Sequence, residues 1–241
     1  NLQKIACRAC NLRLHLLSSS LSEYWRATRM WWDNIEQYVP DILERPVYFV
    51  SSNPHSLPNL FAGFALQKKE ELIRFVESGN HPDMLDEWRQ IQTNAVPSSV
   101  ENFLYYVLKK YQSACEGQGC VEEQKEAERE SGILRIPSIQ SFDIAAQVIE
   151  INQLQPENFD PRLLSGGNPA DWNFLVDSNA LILNIDYPLG LAAYNVLAKV
   201  AEHTPYVLGV YIMGKAAALN GVRGDVLIPN VVQDEHSQNT Y

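Results

Sequence analysis

Asn179-Ala180-Leu181-Ile182-Leu183-Asn184-Ile185-Asp186-Tyr187-Pro188-Leu189-Gly190 and the Leu191-Ala192-Ala193-Tyr194-Asn195-Val196-Leu197-Ala198-Lys199-Val200-Ala201 that follows decide the reading of the fold. The apolar run 180–183 stops at turn residues, and the Ala- and Leu-rich segment after them carries apolar residues at helical spacing, which reads as strand, turn, helix. After His203-Thr204-Pro205 a second strand, 206–212, ends on the small-residue loop 213–221. Gly224-Asp225-Val226-Leu227-Ile228-Pro229 reads as a third strand, and a dense polar tail, 233–241, closes the chain. Residues 180–183, 206–212 and 225–228 are therefore expected in one sheet, with 191–201 packed on it as a helix. A right-handed crossover would make the first two strands parallel.

Working outward, Val47-Tyr48-Phe49-Val50 is a β-branched and aromatic run that ends at Ser51-Ser52-Asn53-Pro54-His55-Ser56, after which 57–76 is helix-like and should pack on that strand. Strand-ending loops of small or polar residues that lead into helices are where open α/β sheets bind anions and nucleotides, because backbone N–H groups and helix N-termini face outward there. Ser51, Ser52, Asn53 and His55 are thus a candidate ligand turn, the alternative being that they only cap the helix.

Two helices are expected near the start, 2–17 and 22–38, the second carrying Tyr24, Trp25, Trp31, Trp32 and Ile35 as a core or subunit-contact cluster. A polar connection, 80–90, with a possible short helix, precedes an amphipathic helix over 98–111. The Glu-rich, Gly-punctuated stretch 113–131 reads as a solvated helix or a flexible linker. It divides the chain into a mainly helical α/β region, 1–112, and an α/β core, 132–241. Within that core, 138–154 reads as a helix with Asp143 and Glu150 on one side, and the Pro- and Gly-rich 155–171 as a loop.

The chain has 241 residues, 46% hydrophobic and 20% charged, enough for a sizeable core. A formal net charge of -10 argues against a general nucleic-acid or anionic-membrane binder, which needs clustered Lys and Arg. No apolar run approaches the ~20 residues of a membrane span, and nothing at the start resembles a signal peptide, so a cytoplasmic protein is expected. Cys7-x-x-Cys10, with Cys115 and Cys120 further on, has the form of half a zinc site or a redox pair. On an amphipathic helix, Cys7 and Cys10 read instead as small apolar residues, and no metal or cofactor is expected. Beginning at Asn1 rather than Met and stopping within a polar segment, the sequence reads as part of something longer.

The order of these motifs, from the 180–190 strand and turn through Gly214-Lys215-Ala216-Ala217-Ala218-Leu219 to Gly224-Asp225-Val226-Leu227-Ile228-Pro229, resembles the first half of the nucleoside phosphorylase and nucleosidase superfamily, nearest its AMP nucleosidase branch. The resemblance covers residues 179–241. It implies a Rossmann-like three-layer α/β/α fold and cleavage of the bond between a base and ribose, with a nucleoside or nucleotide as substrate and a homo-oligomer as the assembly. Asp186, Tyr187 and Gly190 fall on the family's turn near the sugar. Gly214, Lys215, Ala216 and Ala217 fall on the loop lining phosphate and base, and Asp234, Glu235 and His236 on the acidic segment beyond, where Asp234 and His236 would be catalytic. Asp186 stands where family turns commonly carry Gly, and Lys215 where they carry a small or polar residue. The family's Met-Glu ribose element and base-protonating acid have no counterpart, so these residues alone are expected to be inactive. The alternative is a non-catalytic nucleotide-binding or oligomerising module on the same fold.

Overall fold

A computed structural model describes residues 21–233, apart from 80, 96–97, 116–118, 139–142, 165–168, 189, 215–220, 223 and 232. The described chain runs through α1 (Leu21–Tyr38), β1 (Val47–Ser51), α2 (Ser56–Ala62), α3 (Phe64–Gln67), α4 (Lys69–Ser78), α5 (Pro82–Gln92), α6 (Val100–Ala114), α7 (Cys120–Glu130), β2 (Ile133–Ile136), β3 (Ala146–Glu150), β4 (Leu181–Ile185), α8 (Leu191–His203) and β5 (Val207–Ile212). It is a mixed α/β protein with a five-stranded sheet in the order β2-β3-β4-β1-β5. β1 lies parallel to both β4 and β5, whereas β3 is antiparallel to β2 and β4. Residues before and after the acidic segment thus contribute to one sheet, with β1 held between β4 and β5.

Strand alternation sorts the core into two faces. Phe49 of β1, Val148 of β3, and Leu181 and Leu183 of β4 meet Trp31, Trp32 and Ile35 of α1 and Val196 and Val200 of α8. The Trp31 indole N–H donates to the Ile144 carbonyl at 3.2 Å, so even this large apolar residue keeps its polar atom satisfied. On the other face Val50, Ile149 and Ile182 meet Leu57 and Ala62 of α2 and Leu154 and Phe159 of the following turns. A second, helical cluster joins Leu72, Val76, Trp88, Phe103 and Leu104 from α4, α5 and α6. α6 begins at Ser99, whose hydroxyl accepts from the Asn102 N–H at 3.1 Å as an N-cap.

The helix expected over 57–76 is three helices. Gly63 breaks it with φ 61, and a Cβ there would meet the Asn158 carbonyl oxygen at 2.2 Å, so the chain can turn at this point only because the residue has no side chain. Leu57 and Ala62 pack on the sheet as expected, while Leu72 and Val76 turn away into the helical cluster. Residues 82–92, expected as mostly connection, are α5, and 120–130 form α7.

Two expectations are overturned. The helix over 138–154 is instead β3: Ala146-Gln147-Val148-Ile149 is covered on both faces by neighbouring layers, so it lacks the in-out alternation that marks an exposed strand and its apolar spacing imitates a helix. Asp143 and Glu150 consequently share no helical side, and Glu150 pairs with Arg45 at 3.0 Å. Residues 225–228 form no strand; they run irregularly with Ile228 89% exposed, since a β-prone sequence becomes a strand only where a partner edge and a face to bury are supplied. The expected helix 2–17, with Cys7 and Cys10, lies outside the described residues.

A buried ionic knot ties the helical cluster to the turns. Asp160 is fully buried; Arg162 donates Nε to its Oδ1 at 2.9 Å and Nη2 to its Oδ2 at 2.6 Å, and the Tyr105 hydroxyl of α6 donates to the same carboxylate. Arg162 also reaches Ser99 Oγ at 3.1 Å and Asn102 Oδ1 at 3.0 Å. Burial alone would raise the Asp160 pKa, but the bonds from Arg162 and Tyr105 outweigh it and hold the carboxyl at about 2.

Candidate site at the carboxyl edge of the sheet

β1 and β4 are adjacent and parallel, yet the chain leaves them toward opposite faces: α2 packs beside Val50 and Ile149, α8 against Leu181 and Leu183. The loops after the two strands therefore leave toward opposite faces, the arrangement at which open α/β sheets place their ligands. Three backbone bonds hold the loop starts together. Ser52 N–H donates to the Ile185 carbonyl at 3.0 Å, Met213 N–H to Ser51 at 2.9 Å, and Asp186 N–H to Ala145 at 3.1 Å.

Ser51, Ser52, Asn53, His55, Asp186, Tyr187 and Gly214, expected from sequence as two separate groups, are thereby brought to one edge. The position a Cβ would take on Gly214 lies 3.8 Å from Tyr187 Cε1, so the Tyr187 side chain reaches across the end of β1 to the loop after β5. Gly190 opens α8 with φ 55, and no side chain caps that helix start. Lys215, Ala216, Ala217, Asp234, Glu235 and His236 lie outside the described residues.

The β1 turn is positioned by a row of buried polar side chains that sequence reasoning missed. Arg135, Gln147 and Asn184 stand directly opposite one another on β2, β3 and β4. Asn184 Nδ2 donates to Gln147 Oε1 at 2.9 Å, and its Oδ1 accepts from Ser52 Oγ at 2.8 Å. Gln147 Nε2 donates to the Pro54 carbonyl, and Arg135 Nη1 lies 3.5 Å from the same oxygen. At the far end Arg135 binds Glu128 of α7 through both nitrogens of its fork; Glu128 is 1% exposed and also accepts from Gln124 at 2.7 Å. Buried polar groups cost free energy unless each finds a partner, so this row specifies one arrangement of the turn. The only local hint in the sequence was Asn184 itself, a polar residue inside an apolar run.

The row leaves Asn53 and His55 facing outward. Asn53 Oδ1 accepts from the His55 N–H at 2.8 Å, an Asx-type turn that directs the imidazole. The ring is exposed at the mouth, yet crowding against the edge strips some water from it. That desolvation, then the Arg135 and Lys109 cations, lower its pKa below 6.5, opposed by Glu128 and Asp186. His55 is thus a neutral imidazole at neutral pH, with a carboxylate close enough to act on it. Beside Pro54 a cleft of 510 Å³ continues along β2, lined by Tyr38, Lys125, Arg129 and Arg135 among others.

Among the described residues, no group of three or more His, Cys, Asp or Glu is placed to hold a metal ion, and no helix is long and apolar enough to cross a membrane. The fold and its edge define a mixed α/β protein with a cluster of polar side chains at the carboxyl ends of parallel strands. The chain belongs to DUF6909, a family of unknown function, matched over residues 1–241. No curated protein and no solved structure matches it.

Proposed function

We propose that this protein in its full-length form binds a nucleoside or nucleotide at the carboxyl ends of β1 and β4 and breaks the bond between its base and ribose, on a Rossmann-like sheet of the nucleoside phosphorylase type. The observation that carries the reading is the divergence of the β1 and β4 connections, which gathers His55, Asp186, Tyr187 and Gly214 at one edge.

Departure of the base leaves an oxocarbenium-like sugar, and a carboxylate at Asp186 would stabilise that positive charge. A neutral His55 can accept the proton of an attacking water, whose oxygen joins the sugar carbon as the carbon–nitrogen bond breaks, while the departing base takes its proton from solvent. Tyr187, half exposed, offers a flat face to the base. The uncapped start of α8 beyond Gly190, with Lys215 and the Ala216-Ala217 loop, supplies the anion-facing groups for a 5′-phosphate. Asp234 and His236 keep the catalytic assignment that the resemblance implies. A homo-oligomer suits the row Leu208, Val210 and Ile212 left exposed on β5, and free Cys115 and Cys120 suit a reducing compartment such as the cytoplasm.

The buried row Ser52, Asn184, Gln147 and Arg135 spends its hydrogen bonds on the protein itself, which favours a second reading, binding without cleavage. Incubation with nucleosides and nucleoside monophosphates, with free base followed by chromatography and binding by calorimetry, separates the two. Base release that Asp186→Asn abolishes while binding persists supports the enzyme; binding without release supports the module; neither removes both.

A further inference from the structure

Between α8 and α1, beside the residues that both helices pack on the sheet, lies a cleft of 530 Å³. This volume lies within the roughly 300–1,000 Å³ of small-molecule sites. We propose that it is a binding site for a small aromatic anion, a flat ring carrying a carboxylate or phosphate.

Three independent features specify that chemistry. The first is charge. Arg26 and Arg29 project from α1, exposed and in no salt bridge among the described residues, across the cleft from α8, where Lys199 and Glu202, the one carboxylate in the lining, pair with each other at 2.8 Å and leave the two arginines as the cation excess. In a chain of net charge -10, a local excess of cations is a selective place for an anion. The second is shape. Trp25 on one helix and Tyr194 on the other are 60% and 70% exposed, an unusual outlay of aromatic surface to water, and Ala198 keeps the space between the helices open. An aromatic ring between them covers both, and the arginines add cation–π and in-plane contacts. The third is an orphan. Asn195 lines the cleft, is 6% exposed, and its amide nitrogen is buried with no hydrogen-bond partner among the described residues. Native proteins seldom leave such a donor unmet, and a turn of the Asn195 side chain toward the cleft would present it to a carboxylate or phosphate oxygen.

None of the lining residues of this cleft belongs to the carboxyl-edge site, and the two sites stand or fall separately.

The test uses the full chain with indole-3-acetate and phenyl phosphate as probes, and benzylamine and inorganic phosphate as controls, followed by calorimetry and by the side-chain amide resonance of Asn195. Both aromatic anions should bind saturably at sub-millimolar concentration and shift that resonance. Arg26→Ala and Arg29→Ala, exposed positions whose loss leaves the fold intact, should each weaken binding by roughly fivefold. Trp25→Phe should keep binding and remove the quenching of tryptophan emission. Equal binding of benzylamine or of inorganic phosphate, indifference to both arginine substitutions, or no saturable binding overturns the proposal.

Discussion

Replacing Asp160 by Asn removes one charge from the centre of the knot while keeping its shape. The carboxylate is fully buried and takes two bonds from Arg162 side-chain nitrogens, one from the Tyr105 hydroxyl and one from the Arg162 backbone N–H at 2.8 Å. Its pKa, about 2 in the folded chain against 3.8 ordinarily, makes the folded state prefer the ionised form. At 1.36 kcal/mol per pH unit the preference is worth roughly 2 kcal/mol at neutral pH. Because the folded pKa is depressed, that stability is present above 3.8 and lost as pH falls through about 2. Asn accepts from Tyr105 but cannot match the Arg162 charge, so Asp160→Asn should lose roughly 2 kcal/mol at pH 7 and about half as much at pH 3. Urea unfolding followed by circular dichroism at both pH values measures this, with the urea slope unchanged if only stability has moved. A loss of equal size at the two pH values would refute the electrostatic account and leave packing as the cause; no loss at pH 7 would refute the knot altogether.

Three further outcomes follow from other parts of the molecule. Gly63→Ala should destabilise by more than about 2 kcal/mol in the same assay, because it forces a side chain onto a left-handed backbone and into the Asn158 carbonyl; an unchanged midpoint contradicts this. Asn184→Leu strands the Gln147 carbonyl oxygen, leaves the Ser52 hydroxyl only its 3.3 Å bond to the Asn53 carbonyl, and should cost about 2 kcal/mol, whereas a neutral effect would mean the polar row is dispensable. The His55 ring, titrated by NMR, should show a midpoint below 6.5 that Lys109→Ala raises and Asp186→Asn lowers further. Since its folded pKa is lowered, its unfolded imidazole takes a proton first, and the chain loses stability as pH falls below 6.5; a midpoint above that value removes the neutral-imidazole role.

β1, β4, α8 and β5 were legible in the sequence because each is a continuous apolar or periodic run closed by turn residues: Val47–Ser51 stops at Ser-Asn-Pro, and Leu191–His203 repeats its apolar positions every three to four residues. β3 was not. Its flanks include Ile144 and Ile151, which with Val148 are spaced as on a helix, and only the sheet on either side shows that Val148 and Ile149 are buried in opposite directions. Residues 225–228 failed the other way, being strand-like in composition without a neighbour. The candidate turns at Ser51–His55 and Asp186–Gly190 could be found singly as strand ends, but their meeting could not, since it depends on β1 inserting between β4 and β5. The row from Ser52 to Glu128 was hidden for the same reason: pairing among Arg135, Gln147 and Asn184 is set by strand register, which no local pattern encodes.

The place of β1 between β4 and β5 also governs when this chain can fold. Val47–Ser51 emerges early in synthesis, but its partners begin only at Leu181 and Val207. Until both have been made, β1 has two bare edges and no sheet to join, while the helices from α3 to α6 can already assemble their own cluster. β4 and β5, joined by α8, must then close around it, a late and entropically costly docking that slows folding. During that interval Val47-Tyr48-Phe49-Val50 is an adhesive strand in the nascent chain, and low temperature or chaperones during expression should raise the yield of native protein by sheltering it.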